Sequence, residues 1–189
     1  SSEDLGGLFE TMDAPSATPE LATRPADDRP LNALSFDIED WFHLVDIDSV
    51  ANTADLPGFP SIVERRTDEI LGICDEFGVR ATFYFLGWIA DRYPQLVRRA
   101  AEAGHEIGTH SYWHRKVSDL DQDTFREDLR RSIDVIEDAG ATQVTSFRAP
   151  SFSITPGTEW AFDVLLDAGL RYDASLFPVA RENGGYPCT

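Results

Sequence analysis

The chain has 189 residues, enough for one domain with a substantial core and short for two. Its 34 acidic residues face 16 basic ones, Lys116 being the single lysine, and a net charge of -18 repels nucleic acid and anionic lipid, which sets aside polyanion-binding functions. No apolar run approaches the roughly 18 residues of a membrane span, no basic-then-apolar leader is visible from Ser1, and two cysteines do not make a disulfide framework.

Residues 1–30 mix small polar residues and acids with few large apolar side chains, and Pro15, Pro19, Pro25 and Pro30 interrupt any regular element. The expectation is a disordered or surface-draped acidic, Pro-rich arm ahead of one domain at 31–189. Abundant Asp with almost no Lys resembles the surfaces of proteins from salt-loving organisms, where salt screens carboxylate repulsion. A soluble protein, cytoplasmic or membrane-peripheral, is expected.

Leu31 to Phe36 reads as a buried strand that runs into Asp37-Ile38-Glu39-Asp40-Trp41-Phe42-His43. A loop is expected at 46–60, with Pro57-Gly58 as a turn signal. A helix is predicted from Ser61, the N-cap with Glu64 three residues on, and Ile62, Val63, Ile70, Cys74 and Phe77 form its apolar face up to Gly78. Val79 to Leu86 is the next strand, then a helix carrying Leu96, Val97 and Ala100 stops at Gly104. His105 to Thr109 is a short strand that delivers His110, with His105 read as structural and Cys74 as core.

Asp121 or Asp123 can cap a helix bearing Phe125, Leu129, Ile133 and Ile136, closed by Gly140. Gln143 to Phe147 forms a strand ending in Arg148-Ala149-Pro150. Thr155 and Pro156 take the N-cap and first-turn positions of a helix with Val164, Leu165 and Ala168 facing inward, and Gly169 ends it before a strand near Leu170 to Tyr172. About five strands alternating with about four helices predict a parallel α/β architecture.

The polar residues cluster at the predicted strand ends, where α/β sheets bind their ligands. Asp37, Glu39 and Asp40 place three carboxylates within four residues, an arrangement that calls for solvent, a cation or a shared proton. His110 and His114 stand four apart, so a helical coil after Thr109 would turn both imidazoles to one side. A carboxylate with two histidines leaves open positions on a divalent metal, with Zn²⁺ favoured and Co²⁺, Mn²⁺, Ni²⁺ or Fe²⁺ admitted. A second carboxylate could take a proton from water at such a metal, and Arg148 beside it would hold it ionised. Hydrolysis of an amide or ester is the chemistry this collection suits.

Together, Asp37 to Asp40, His110-Ser111-Tyr112-Trp113-His114 and Arg148-Ala149-Pro150 resemble the polysaccharide deacetylases of carbohydrate esterase family 4, the NodB-homology domain. The resemblance runs from about Leu31 to Pro178, and Asp-x-Glu-Asp-Trp with Arg-Ala-Pro-Ser-Phe-Ser looks closest to the branch associated with exopolysaccharides. It implies a distorted, incomplete (β/α) barrel with a mainly parallel sheet, metal-dependent removal of N-acetyl groups from a glycan, and Asp37 as catalytic base. His110 and His114 match the metal histidines. The metal carboxylate is Glu39, which strand alternation puts on the face of Asp37, or Asp40 if the strand has already ended.

Trp41, Phe42, Trp113 and Phe152 are candidates for walls against a sugar ring, with Pro150 in the same motif. His43 is expected to line the cleft or cap a turn, in either case behind the ligands, and Asp173 to support Arg148, to meet a substrate hydroxyl or simply to close a strand. The family usually carries a later Leu-His or Ile-His whose imidazole protonates the leaving amine, and no histidine follows His114 here, so the C-terminal part of the domain is expected to be missing. Two alternatives accompany the deacetylase: a hydrolase of small cyclic amides, and a non-catalytic glycan- or partner-binding domain without the acid.

Overall fold

The computed structural model describes residues 32–43, 58–140 and 143–187, so the arm at 1–30, most of the loop expected at 46–60, and Cys188 lie outside it. Every described strand and helix belongs to the unit Ala33–Thr189. Strands β1 (Ser35–Ile38), β2 (Thr82–Phe85), β3 (Glu106–Thr109), β4 (Ser146–Phe147) and β5 (Tyr172–Asp173) make one sheet, ordered as in the chain and parallel at every pairing. Helices α1 (Val63–Glu76), α2 (Gly87–Arg92), α3 (Pro94–Glu102), α4 (Gln122–Gly140) and α5 (Trp160–Asp167) fill the crossovers that parallel pairing requires. The α/β class with a parallel sheet is as expected, and among the described residues β1 and β5 are open edges of an unclosed wall.

Alternation along the strands sorts the two faces. Phe36 and Ile38 are level with Phe83, Phe85, Ile107 and Thr109, and this face shares one core with Leu96, Val97, Phe125, Leu129, Ile136 and Phe147. Burying each large apolar side chain contributes about 1.5–3 kcal/mol. The opposite face carries Ser35 and Asp37 of β1, in register with Thr82 and Tyr84 of β2 and with Glu106 and Gly108 of β3. A Cβ on Gly108 would lie 2.6 Å from both the Tyr84 ring and Ser146 Oγ, so glycine is what lets the phenol lie across the sheet.

Several boundaries differ from the expectation, each for a physical reason. β1 runs through Ile38 because Asp37 has an internal partner in Arg148, a strand signal that apolar content does not carry. The connection after β2 holds two helices: Tyr93, which precedes a proline, leaves the helical region, and Pro94 opens α3. The fifth helix starts at Trp160, because Thr155 closes a turn with Thr158 instead of capping. On α1, Val63 and Cys74 are buried, while Phe77 is 69% exposed just past the last turn. α1 starts at Val63 with Ile62 at its boundary, and the Ser61 hydroxyl accepts the Val63 N–H at 3.3 Å as expected of a capping side chain, while Asp121 caps α4 by accepting the Thr124 N–H.

Candidate active site

β1, β3 and β4 each release a polar residue at the carboxyl edge of the sheet. Asp37 is the third residue of β1, Glu39 comes directly after β1, His110 after β3 and Arg148 after β4. The Arg148 guanidinium spans three partners: Nη1 donates to Asp37 Oδ1 at 2.8 Å, Nη2 donates to Ser35 Oγ at 2.7 Å, and its plane lies 4.5 Å from the Tyr84 ring centroid. Asp37 Oδ2 is thereby left facing His110 Nε2 at 4.0 Å.

His110 is buried, and its Nδ1 is 2.7 Å from the backbone carbonyl of Arg148. A carbonyl can only accept, so the hydrogen is on Nδ1 and the Nε2 lone pair faces the site. Burial lowers the pKa of His110, against the pull of the Asp37 and Glu39 carboxylates, which keeps the ring neutral. Glu39 Oε2 is 2.9 Å from His114 Nε2, yet Oε2 is buried and has no hydrogen-bond partner. Ligand atoms of Glu39, His110 and His114 lie within 4.8 Å of one another, and the two imidazole centroids are 5.0 Å apart. A carboxylate and two imidazoles with unsatisfied lone pairs at this spacing fit a divalent cation. Burial raises the pKa of Glu39, but the imidazoles of His114, His110 and His43 outweigh it, so the pKa is lowered and the group is an anion.

The expected helical coil after Thr109 is not what joins the histidines. Residues 110–116 form a loop in which Ser111 (φ 66°) and His114 (φ 59°) adopt left-handed conformations that non-glycine residues take at a cost. The loop is held from α4 and α2. Asp128 Oδ2 accepts the Tyr112 N–H at 2.6 Å, Ser132 Oγ donates to the Ser111 carbonyl at 2.9 Å, and the Gly87 and Trp88 N–H groups donate to the carbonyls of Ser111 and Tyr112. Asp128 is buried, which raises its pKa against these N–H contacts. Asp128, Ser132, Ser35 and Tyr84 are not among the residues that the sequence singles out. A carboxylate and a hydroxyl one turn apart beside the apolar stripe of Phe125, Leu129 and Ile136 were the available signal.

Asp40, the other candidate carboxylate, points elsewhere. It is 1% exposed and accepts from the Ser61 hydroxyl, from Ile62 N–H at 3.2 Å and from Trp41 N–H at 3.3 Å, which ties the loop after β1 to the start of α1. His43 Nδ1 accepts the Asp40 N–H at 3.0 Å, and its ring packs against Phe42 and Trp88; burial pushes its pKa down to about 4. His105 Nδ1 accepts the Ala81 N–H at 3.2 Å, a structural bond as expected.

The aromatic candidates divide. Phe42 is 1% exposed and belongs to the core, the role that competes with a cleft wall for an aromatic near a strand end. Trp41 is 39% exposed, with its indole N–H on the Pro60 carbonyl. Trp113 and Phe152 are half-buried, Phe152 against the Phe177 ring, and Pro150 is buried in the turn after Arg148. Asp173 accepts from the Ser175 hydroxyl at 2.5 Å, and Ser175 Oγ in turn accepts the Ala149 N–H at 2.7 Å, so Asp173 supports the backbone beside Arg148; burial raises its pKa against the Ser175 hydrogen bonds and the charge of the Arg148 guanidinium.

Over residues 47–172 the chain matches the family described as polysaccharide deacetylase. It is 33% identical over 70 residues to a peptidoglycan-N-acetylglucosamine deacetylase of Bacillus cereus, across 37% of this chain and 26% of that protein. It is 31% identical over 108 residues to a chitooligosaccharide deacetylase of Rhizobium leguminosarum bv. trifolii, across 56% of this chain and 47% of that protein. The solved structure of a candidate polysaccharide deacetylase from Mycobacterium smegmatis superposes with a TM-score of 0.64 at 29% identity, covering 82% of this chain and 56% of that one. The matches thus span about a quarter and about half the length of the two curated relatives. Neither cyclic-amide hydrolysis nor a binding-only role is favoured by these likenesses. No helix among the described residues is long and apolar enough to cross a membrane.

Proposed function

The chain belongs to the polysaccharide deacetylase family, and we propose that it removes N-acetyl groups from a polysaccharide or surface glycan, with a divalent cation, zinc first, held by Glu39, His110 and His114. The observation that carries this reading is the Asp37 carboxylate, clamped by Arg148 on one oxygen and facing His110 with the other, beside that ligand-competent trio. When bound, the cation would polarise the amide carbonyl and acidify a water molecule.

The protein's own groups do the rest. Arg148 fixes the Asp37 carboxyl group through Oδ1, leaving Oδ2 to take a proton from the water that attacks the acetyl carbon. Ser35 and the Tyr84 ring fix the guanidinium in that pose. His110 is kept in the Nδ1–H tautomer by the Arg148 carbonyl, so one residue orients both the base and a ligand. The C–N bond breaks, the leaving nitrogen takes one proton to become the amine, and the acetyl group leaves as acetic acid, which gives its remaining proton to solvent and becomes acetate. Among the described residues that proton is at hand on Asp37, which received it from water.

The test is acetate release from N-acetylglucosamine oligomers by the zinc-loaded chain, repeated after chelation and with Asp37→Asn. Acetate that depends on both metal and Asp37 is the expected result; a metal-loaded chain that releases none would overturn the reading.

A further inference from the structure

We propose that Trp41 is the platform on which the sugar unit next to the deacetylated one stacks, so that the substrate is a chain of sugars and not a single one; this deepens the deacetylase reading and rests on it. Trp41 opens the short 3₁₀ turn Trp41–His43 after β1, two residues beyond Glu39. Two residues of chain reach at most about 7 Å, the scale of one sugar ring. A pyranose on the indole therefore neighbours the one whose N-acetyl group meets Glu39, His110 and His114.

The indole is open and at the same time held still. Trp41 is 39% exposed, whereas Trp88 is buried and Trp113 and Trp160 are half-buried. The other exposed aromatic side chains among the described residues, Phe77 and Tyr172, lie just past the last turn of α1 and on β5, with no ligand residue beside them in the chain. Exposure alone is ordinary for a single apolar residue, and what sets Trp41 apart is its restraint. Its indole N–H donates to the Pro60 carbonyl at 3.1 Å, and the rings of Phe42 and Phe59 stand at 81° and 82° to it with centroids 5.5 Å away. The backbone is fixed as well: Asp40 Oδ1 accepts the Trp41 N–H at 3.3 Å and the Ile62 N–H at 3.2 Å, and Oδ2 accepts the Ser61 hydroxyl. Asp40, the carboxylate that does not join the histidines, thus ties the base of the platform to the start of α1.

A pyranose carries C–H groups on its faces and hydroxyls around its rim, so an aromatic ring can cover a face while the hydroxyls stay in water. A side chain already held in one orientation loses little freedom when a ligand settles on it, and the contact converts into affinity. The indole nitrogen is engaged by Pro60, so the platform presents apolar surface and reads the presence of a neighbouring ring, not its substituents.

The test compares two probes on the zinc-loaded chain by acetate release: the methyl glycoside of N-acetylglucosamine and the tetramer of N-acetylglucosamine. The tetramer is expected to have the higher kcat/KM. In Trp41→Ala the tetramer-to-monomer ratio of kcat/KM should fall about tenfold, carried by KM, and Trp41→Tyr, which keeps a ring, should recover part of it, with melting curves confirming that the variants fold. Binding is read separately in Asp37→Asn: the indole N–H resonance of Trp41, identified by its absence when Trp41→Tyr is added, should shift with the tetramer and stay in place with the methyl glycoside. A ratio unchanged in Trp41→Ala, an equal loss for both probes, or a resonance that the tetramer does not move would overturn the platform. Release by the parent chain without dependence on length removes the platform alone, whereas no release from either probe removes the deacetylase reading and the platform with it.

Discussion

The Nδ1 of His110 lies 2.7 Å from the backbone carbonyl of Arg148, while the side chain of the same arginine holds Asp37 at 2.8 Å. One residue at the end of β4 therefore sets the tautomer of an imidazole and the pose of a carboxylate, across 38 and 111 residues of chain. This coupling lets the roles of the two partners be separated by substitution.

His110→Ala should abolish binding of zinc, because it removes one of the three ligands that stand within 4.8 Å of one another. Asp37→Ala should keep the metal and lose turnover by about 10²- to 10⁴-fold, the usual worth of a positioned base. Metal content by mass spectrometry together with acetate release checks both. Full occupancy in His110→Ala would refute the assignment of this ligand.

Arg148→Lys keeps the charge and loses the geometry. An ammonium cannot bond Asp37 and Ser35 from one plane while lying flat on Tyr84, so the turnover number should fall about 10- to 100-fold with zinc affinity little changed. Steady-state kinetics beside a zinc titration measures this. An unchanged turnover number would show that the clamp is dispensable.

Asp128→Ala leaves the buried Tyr112 N–H without its acceptor and should cost about 1–3 kcal/mol in stability. It should also weaken zinc binding, since the left-handed turns at Ser111 and His114 lose a restraint. Asp128→Asn, whose amide oxygen can still accept, should recover part of both. Denaturant melts and zinc titrations of the two variants decide it; zinc affinity equal to the parent in Asp128→Ala would mean the loop holds itself.

Gly108→Ala places a methyl group 2.6 Å from the Tyr84 ring and should destabilise by about 1–3 kcal/mol. The displaced phenol should also disturb Arg148, so turnover should fall even at temperatures where the variant is fully folded. Urea unfolding and kinetics at low temperature are the two readouts, and a neutral result in both would contradict the packing described for this face.

Much of this molecule is legible locally. Apolar residues at periods of two and 3.6 give the β and α segments, glycines mark where helices end, and alternation along β1 puts Asp37 and Glu39 on one face without reference to any other strand. The order of the motifs, acids first, then the histidines, then Arg148, comes from the sequence alone. So does the excess of carboxylates over basic residues.

Tertiary contacts decided the rest. Which carboxylate stands beside the imidazoles depends on Ser61 and Ile62, whose donors draw Asp40 away across about 20 residues of chain and leave Glu39 beside His114. The meeting of His110 and His114 depends on Asp128 and Ser132, which hold a loop where helical spacing alone predicts a coil. In both cases the local sequence permits more than one backbone path at similar energy. The choice falls to buried hydrogen bonds from distant elements, which cost too much to leave unmade and which short-range patterns cannot encode.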